Sequence, residues 1–184
     1  LTLPDTLVDC AENGRPLKIW AVFKLVFGKR KRVVVPDNLH FKENLPKYLL
    51  QEFHNIPNGN YSNSFSKGYI TGFDVLMLGM MGKIRQQIAS FFKDMDSTLD
   101  LGCAGGRTAS EMKKAGVQDV WGLDASPYLL YHGSESFPAV KFVQGLAENT
   151  PFSDNRFDGI AACFLFHELP PKIAHLVLKE CQTY

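Results

Sequence analysis

Two carboxylates and a cluster of glycines are the residues of this chain best placed to do chemistry. Asp100 ends the apolar run TLDL, and a turn with Gly102, Gly105 and Gly106 follows; an amphipathic helix is expected from about Arg107. A tight strand-to-helix turn needs backbone torsions that side chains resist, and glycine leaves the main chain bare for a ligand to touch. A second acid, Asp124, closes the stretch VWGLD. At the end of the second strand of an open α/β sheet, an acid faces a ribose and accepts hydrogen bonds from both hydroxyls. The glycines run Asp100-x-Gly102-x-x-Gly105-Gly106, whereas a pyrophosphate is seated by G-x-G-x-x-G, so a nicotinamide dinucleotide is disfavoured. His167, in FLFHELPP, falls at the carboxyl end of the expected sheet, where ligands bind. Imidazole titrates near neutrality and suits removal of a proton from a hydroxyl or an activated carbon; capping or orienting its own loop is the competing role.

From Ser97 onward, short apolar runs alternate with helical ones, the texture of βαβ units and a parallel sheet. Strands are expected near 98–101, 120–123, 140–143 and 157–163, and helices near 107–115, 127–133 and 171–181. Residues 1–96 form a separate leader. Its spacing predicts a helix over 38–53, a turn at Asn58-Gly59, and two helices within 66–95 that break near Gly79 to Gly82. Within 17–35, Trp20, Phe23 and Phe27 fall at helical spacing before the basic run Lys29 to Arg32. That stretch either packs on the domain with a solvated basic end or rests on anionic lipid as a peripheral membrane contact.

Several motifs in this order resemble the class I methyltransferase family, nearest to its ubiquinone and menaquinone biosynthesis branch. LDLGCAGGR is similar to the family's first motif, WGLDASP to the second, GLAENTPF to the adenine-side motif, and FDGIAACFLFHELPP to the fourth strand with its following loop. The resemblance implies S-adenosylmethionine as cofactor and S-adenosylhomocysteine as product. It implies Asp100 at the methionine amino group, with Gly102, Cys103, Ala104 and Gly106 passing beneath the cofactor. It further implies Asp124 at the ribose, Ala125 and Ser126 beside it, Ala147 and Glu148 at the adenine, and Phe164 against the cofactor. Ala104 stands where the family usually has glycine, and Leu146 where an aspartate often meets the adenine. YSNSFSKGYITGFDVLMLGMMG resembles the leader segment that crosses the cofactor site, with Phe73-Asp74 where a Tyr-Asp pair is common and Tyr61 and Tyr69 as candidates to touch the methionine end or the acceptor.

The expected architecture is therefore α/β: a Rossmann-like parallel sheet over 97–184, truncated after its fourth strand, with an N-terminal helical cap over 1–96. Methyl transfer from a sulfonium is an in-line displacement, so the protein has mainly to align the acceptor and exclude water; His167 and Tyr69 are the candidates for a catalytic part. The acceptor is expected to be small or lipid-like. A non-catalytic binding module on the same fold and, less favoured, an NAD(P)-dependent oxidoreductase are the alternatives.

Bulk composition narrows the classes further. With 45% hydrophobic and 21% charged residues over 184 positions, the chain can build an ordinary globular core. A net charge of +1 offers no field for a phosphate backbone, so nucleic acid is not expected as a partner. Cys10, Cys103, Cys163 and Cys181 form no C-x-x-C pair, which points to reduced thiols in a cytoplasmic protein and to no metal site. No apolar run reaches the roughly 18 residues of a membrane span. The chain opens on Leu1, so its start is expected to be trimmed. A sheet ending at the fourth strand leaves an edge that calls for cover, so the chain is expected either to be a piece of a longer protein or to pair with another copy.

Overall fold

The computed structural model describes residues 31–36, 45–53, 58 and 61–184. Most of the aromatic and basic stretch expected at 17–35 lies outside these residues. Two compact units divide the chain after Gly68.

In the first unit, residues near 32 and 51 form an antiparallel bridge, with Val33 N–H donating to Leu50 O at 3.0 Å and Glu52 N–H to Lys31 O at 2.9 Å. The carboxylate of Glu52, itself buried, accepts from the N–H groups of Lys31 and Asn58. Asn58 adopts φ 57, a left-handed torsion that asparagine tolerates, and its amide brackets Val34, accepting from its N–H at 2.6 Å and donating to its carbonyl at 3.1 Å. This pairing corrects the expectation of a helix over 38–53. Within that span 38–44 lie outside the described residues, and Lys47–Leu50 form a 3₁₀ turn that stops where the bridge draws Gln51 out into extended backbone.

Helix α1, Asn63–Leu76, is followed by helix α2, Met80–Ser90. Leu78 and Gly79 take φ 51 and 74 at the break, and Gly79 N–H donates back to Asp74 O at 2.9 Å, so the left-handed glycine closes the first helix. The interruption thus falls at Gly79, the first of the glycines read as the break, and Gly82 continues the second helix.

The second unit, from Tyr69, carries an open parallel sheet. Its strands are β1, Ser97–Leu101, β2, Asp119–Asp124, β3, Lys141–Gln144, and β4, Gly159–Ala161, in the spatial order β3-β2-β1-β4. Helices α3, Arg107–Lys114, α4, Pro127–Ser136, and α5, Pro171–Glu180, connect or follow them. Alternation along β1 splits the core into two layers. Leu99 and Leu101 pack with Leu123, Phe157 and Val177 of α5, while Ala89 of α2 joins Ala109, Met112, Val120 and Ala161 on the other face. Burying apolar side chains on both faces is what a parallel sheet requires. Strand β4 is shorter than the 157–163 expected, since Phe157 leaves the ladder to stack edge-on against Phe152 and Tyr184, and Phe164 turns the chain at φ 59. Among the described residues no helix is long and apolar enough to cross a membrane.

Candidate cofactor site

The same alternation that sends Leu99 and Leu101 to one layer points Thr98 and Asp100 at α3. Asp100 is buried, 1% exposed, and its carboxylate accepts from Ala109 N–H at 3.0 Å, in the first turn of that helix. A carboxylate there satisfies a donor that the helix leaves unpaired and meets the positive end of its dipole. Burial nevertheless raises the pKa of Asp100 to about 7, with Asp124 adding to the rise, while the Ala109 N–H and Arg85 act in the opposite direction.

Asp124, ending β2, takes part in the neighbouring turn. One oxygen accepts from Ala104 N–H and the other from Ser126 N–H, both at 2.8 Å. Burial also raises its pKa, opposed by the N–H groups of Ser126, Ala104 and Ala125. Since β1 and β2 pair in register, Asp100 beside Gly122 and Leu101 beside Leu123, the two acids stand at the ends of adjacent strands with the glycine turn between them.

Around that turn lies a crevice of about 510 Å³, counting its open mouth. Of the residues singled out in the sequence, Tyr69, Asp100, Gly102, Cys103, Ala104 and Phe164 line it. Ala104 has φ 49 and Phe164 φ 59, so two side chains with left-handed backbone face the same space. Torsions of this kind cost about 1–2 kcal/mol each for a residue with a Cβ, and they concentrate where a site dictates direction.

The other candidates lie outside this lining, Asp124 among them, which reaches it only through its bond to Ala104 N–H. Gly106, at φ 76, sits against Phe142, whose ring would be 2.5 Å from an added Cβ, so its bareness serves packing. The Ser126 hydroxyl caps α4 by accepting from Leu129 N–H at 3.2 Å, and the Ala125 carbonyl accepts from Gln144. Ala147 is buried in the layer with Leu99 and Leu123, and Glu148 follows it in the turn bridged by Leu146 and Asn149. His167 stands on the 3₁₀ turn Phe166–Glu168, its Nε2 3.0 Å from a Glu168 carboxylate oxygen and its ring edge-on to Phe164 at 5.9 Å. Tyr69, by contrast, lines the crevice and is half-buried. Burial pushes its phenol up to about 12, with Asp124 and Glu168 adding to the rise, so it stays protonated at neutral pH.

Two arginines and an isoleucine belong to the site and were missed in the sequence. Arg85 is 8% exposed and lines the crevice with Asp100, and Arg107 and Ile70 line it as well. Ile70 rests on the glycine turn so closely that a Cβ on Gly105 would fall 2.3 Å from its Cγ1. A signal for Arg85 existed: Met81, Arg85 and Ala89 recur every fourth residue on one helical face, and a cation on a face otherwise apolar needs a partner inside.

The donor set fits a zwitterionic amino-acid end. A buried acid suits an ammonium and a buried guanidinium suits a carboxylate, and the turn from Gly102 to Gly105 borders the same space.

Comparison with known proteins agrees with this architecture. Residues 98–184 match the family model described as "Methyltransferase domain". An uncharacterised methyltransferase from Synechocystis sp. is 40% identical over 73 residues, 40% of this chain and 34% of that protein. A demethylmenaquinone methyltransferase from Thermotoga maritima is 31% identical over 111 residues, 59% of this chain and 48% of that protein. The chain thus spans half or less of the length of these relatives. A TehB-like SAM-dependent methyltransferase from Corynebacterium glutamicum superposes with a TM-score of 0.55 at 22% identity, over 65% of this chain and 66% of that one, a likeness of fold. Residues 98–184, just under half of the chain, are thus similar to a methyltransferase domain, and their four parallel strands in the order 3-2-1-4 share the fold of these SAM-dependent enzymes.

Proposed function

We propose that this crevice binds S-adenosylmethionine and that the protein transfers its methyl group to a small, lipid-like acceptor. The observation that carries the reading is the pair Asp100 and Asp124, closing adjacent strands on either side of one glycine turn. In this reading Asp100 holds the amino group of the methionine end and Arg85 its carboxylate. The main chain from Gly102 to Ala104 passes beneath the cofactor, and Asp124 accepts from the ribose hydroxyls through lone pairs left over from its two amide bonds. The bound cofactor supplies an electrophilic methyl group on a sulfonium.

The remaining work of the protein is alignment and exclusion of water. Tyr69, kept protonated, donates a hydrogen bond inside the crevice. Tyr69 and Phe73 lie 5.4 Å apart, Phe73 and Phe164 6.3 Å, and Phe164 and His167 5.9 Å, a run of rings leading from the crevice to the imidazole. Such a run supports an acceptor with a flat apolar part. Relatives named as demethylmenaquinone methyltransferases support a lipid-like one. His167, with Glu168 beside it, takes the proton from the acceptor. A His167→Ala protein is expected to lose activity while still binding the cofactor, and parental turnover in that variant would dismiss the role.

Calorimetric titration with S-adenosylhomocysteine tests the reading as a whole, with saturable one-site binding expected. Binding of NADH in its place would favour an oxidoreductase, and silence with both would leave a scaffold.

A further inference from the structure

We propose that Asp74 is a positioning residue of this site: by dividing its carboxylate oxygens between Arg85 and Arg107, it holds Arg85 apart from Asp100, so that the pair receives a zwitterionic amino-acid end. The inference rests on the cofactor proposed above and adds to it the group that keeps its two charged contacts separate.

Asp74 lies one helical turn beyond Ile70 on α1, so the Ile70 carbonyl and the Asp74 side chain share a face. Arg107, the first residue of α3, takes hold of both. Its Nε donates to Ile70 O at 2.5 Å, and its Nη1 stands 2.9 Å from Asp74 Oδ2. The other oxygen, Oδ1, accepts from Arg85 Nη1 at 2.6 Å. Residues 70–74 are thereby strapped over the glycine turn, with Ile70 on Gly105.

The geometry around Arg85 gives the strap its chemical meaning. A guanidinium carries five N–H donors, and among the described residues Asp74 is the only acceptor bonded to Arg85. The arginine is more than nine-tenths buried and lines the crevice that Asp100 also lines. A buried cation and a buried anion facing one cavity pair directly unless something holds them apart, because both are poorly solvated. Asp74 engages one nitrogen of Arg85 from the side of the helices and leaves the remaining donors for an incoming carboxylate. Asp100 stays available for an ammonium. Removing the Asp74 charge releases Arg85 to neutralise Asp100, and the site then pairs with itself.

Binding measurements with two ligands test this, S-adenosylhomocysteine and 5′-methylthioadenosine, which shares the nucleoside thioether but lacks the amino-acid end. Asp74→Asn is expected to weaken S-adenosylhomocysteine at least tenfold and to change methylthioadenosine by less than twofold, with affinity partly recovered in Asp74→Glu. Arg107→Gln, which leaves the Asp74 carboxylate in place but frees one oxygen, is expected to give the same selective loss at about threefold. It carries the test if Asp74→Asn fails to fold. Parallel loss of both ligands, or unchanged S-adenosylhomocysteine binding in either folded variant, would overturn the proposal. A parent protein that binds neither ligand sinks the cofactor reading itself, whereas one that binds both with equal affinity overturns only the part assigned to Asp74.

Discussion

The turns after β1 and β2 use one device in two ways. Each strand carries an acid in its last two positions that accepts an N–H from the chain that follows, and each acid resists ionisation because it is enclosed. After β1 the turn is glycine, alanine and cysteine, without a side-chain cap, and its bare main chain borders the crevice. After β2 the turn is Ala125, Ser126 and Pro127, where the serine hydroxyl caps α4 and proline pre-sets the first helical torsion. The first turn borders a crevice with few side chains of its own, and the second is completed by its own side chains.

The largest test of that contrast is Asp100→Asn. The carboxyl titrates near 7 in the folded protein against an ordinary value of 3.8, so the folded state retains a proton that the unfolded chain loses between those values. The sign follows: stability falls as pH rises from about 4 to 7 and levels off above, a loss on the order of 4 kcal/mol for this group. A carboxamide cannot ionise, so thermal melts of Asp100→Asn should exceed the parent's above pH 7 and converge with it near pH 4. Titration with S-adenosylhomocysteine should show at least a hundredfold loss. A variant no more stable than the parent at pH 8 would break the comparison.

Ser126→Ala probes the completed turn and should do the reverse. Loss of the cap costs about 1 kcal/mol in denaturant unfolding, with affinity for S-adenosylhomocysteine held within twofold. A large fall in affinity would show that the β2 turn, too, spends a side chain on the ligand. The smallest expected effect belongs to Ala104→Gly, where removing a Cβ at φ 49 relieves strain of about 1 kcal/mol, less part of that for the freer unfolded chain. A net gain of a few tenths of a kcal/mol in the same unfolding measurement sharpens the view that the β1 turn is strained, and a loss contradicts it.

Legibility differed sharply between the two units. Strands and helices after residue 97 could be placed to within a few residues because their apolar runs are bounded by glycine, proline and serine turns, and because each acid lies at a strand end. The span 38–53 misled because its apolar spacing suits a helix, while Glu52 and Asn58 organise it through bonds to Lys31 and Val34, more than twenty positions away. The Asp74, Arg85 and Arg107 cluster was equally hidden. Asp74 and Arg107 read as ordinary charged positions on their own helices, and only the packing of α1, α2 and α3 brings both arginines within 3 Å of the Asp74 carboxylate.

Local patterns by themselves determined the order of strands and helices, the glycine turn and the two acids, since torsional preference and apolar periodicity act between near neighbours. Tertiary structure alone decided which side chains face the crevice, which are consumed in holding the fold, as Gly106 and Ser126 are, and where a buried arginine meets its partner. Those outcomes depend on burial and on charges brought together across the fold, and neither has a local signature in the chain.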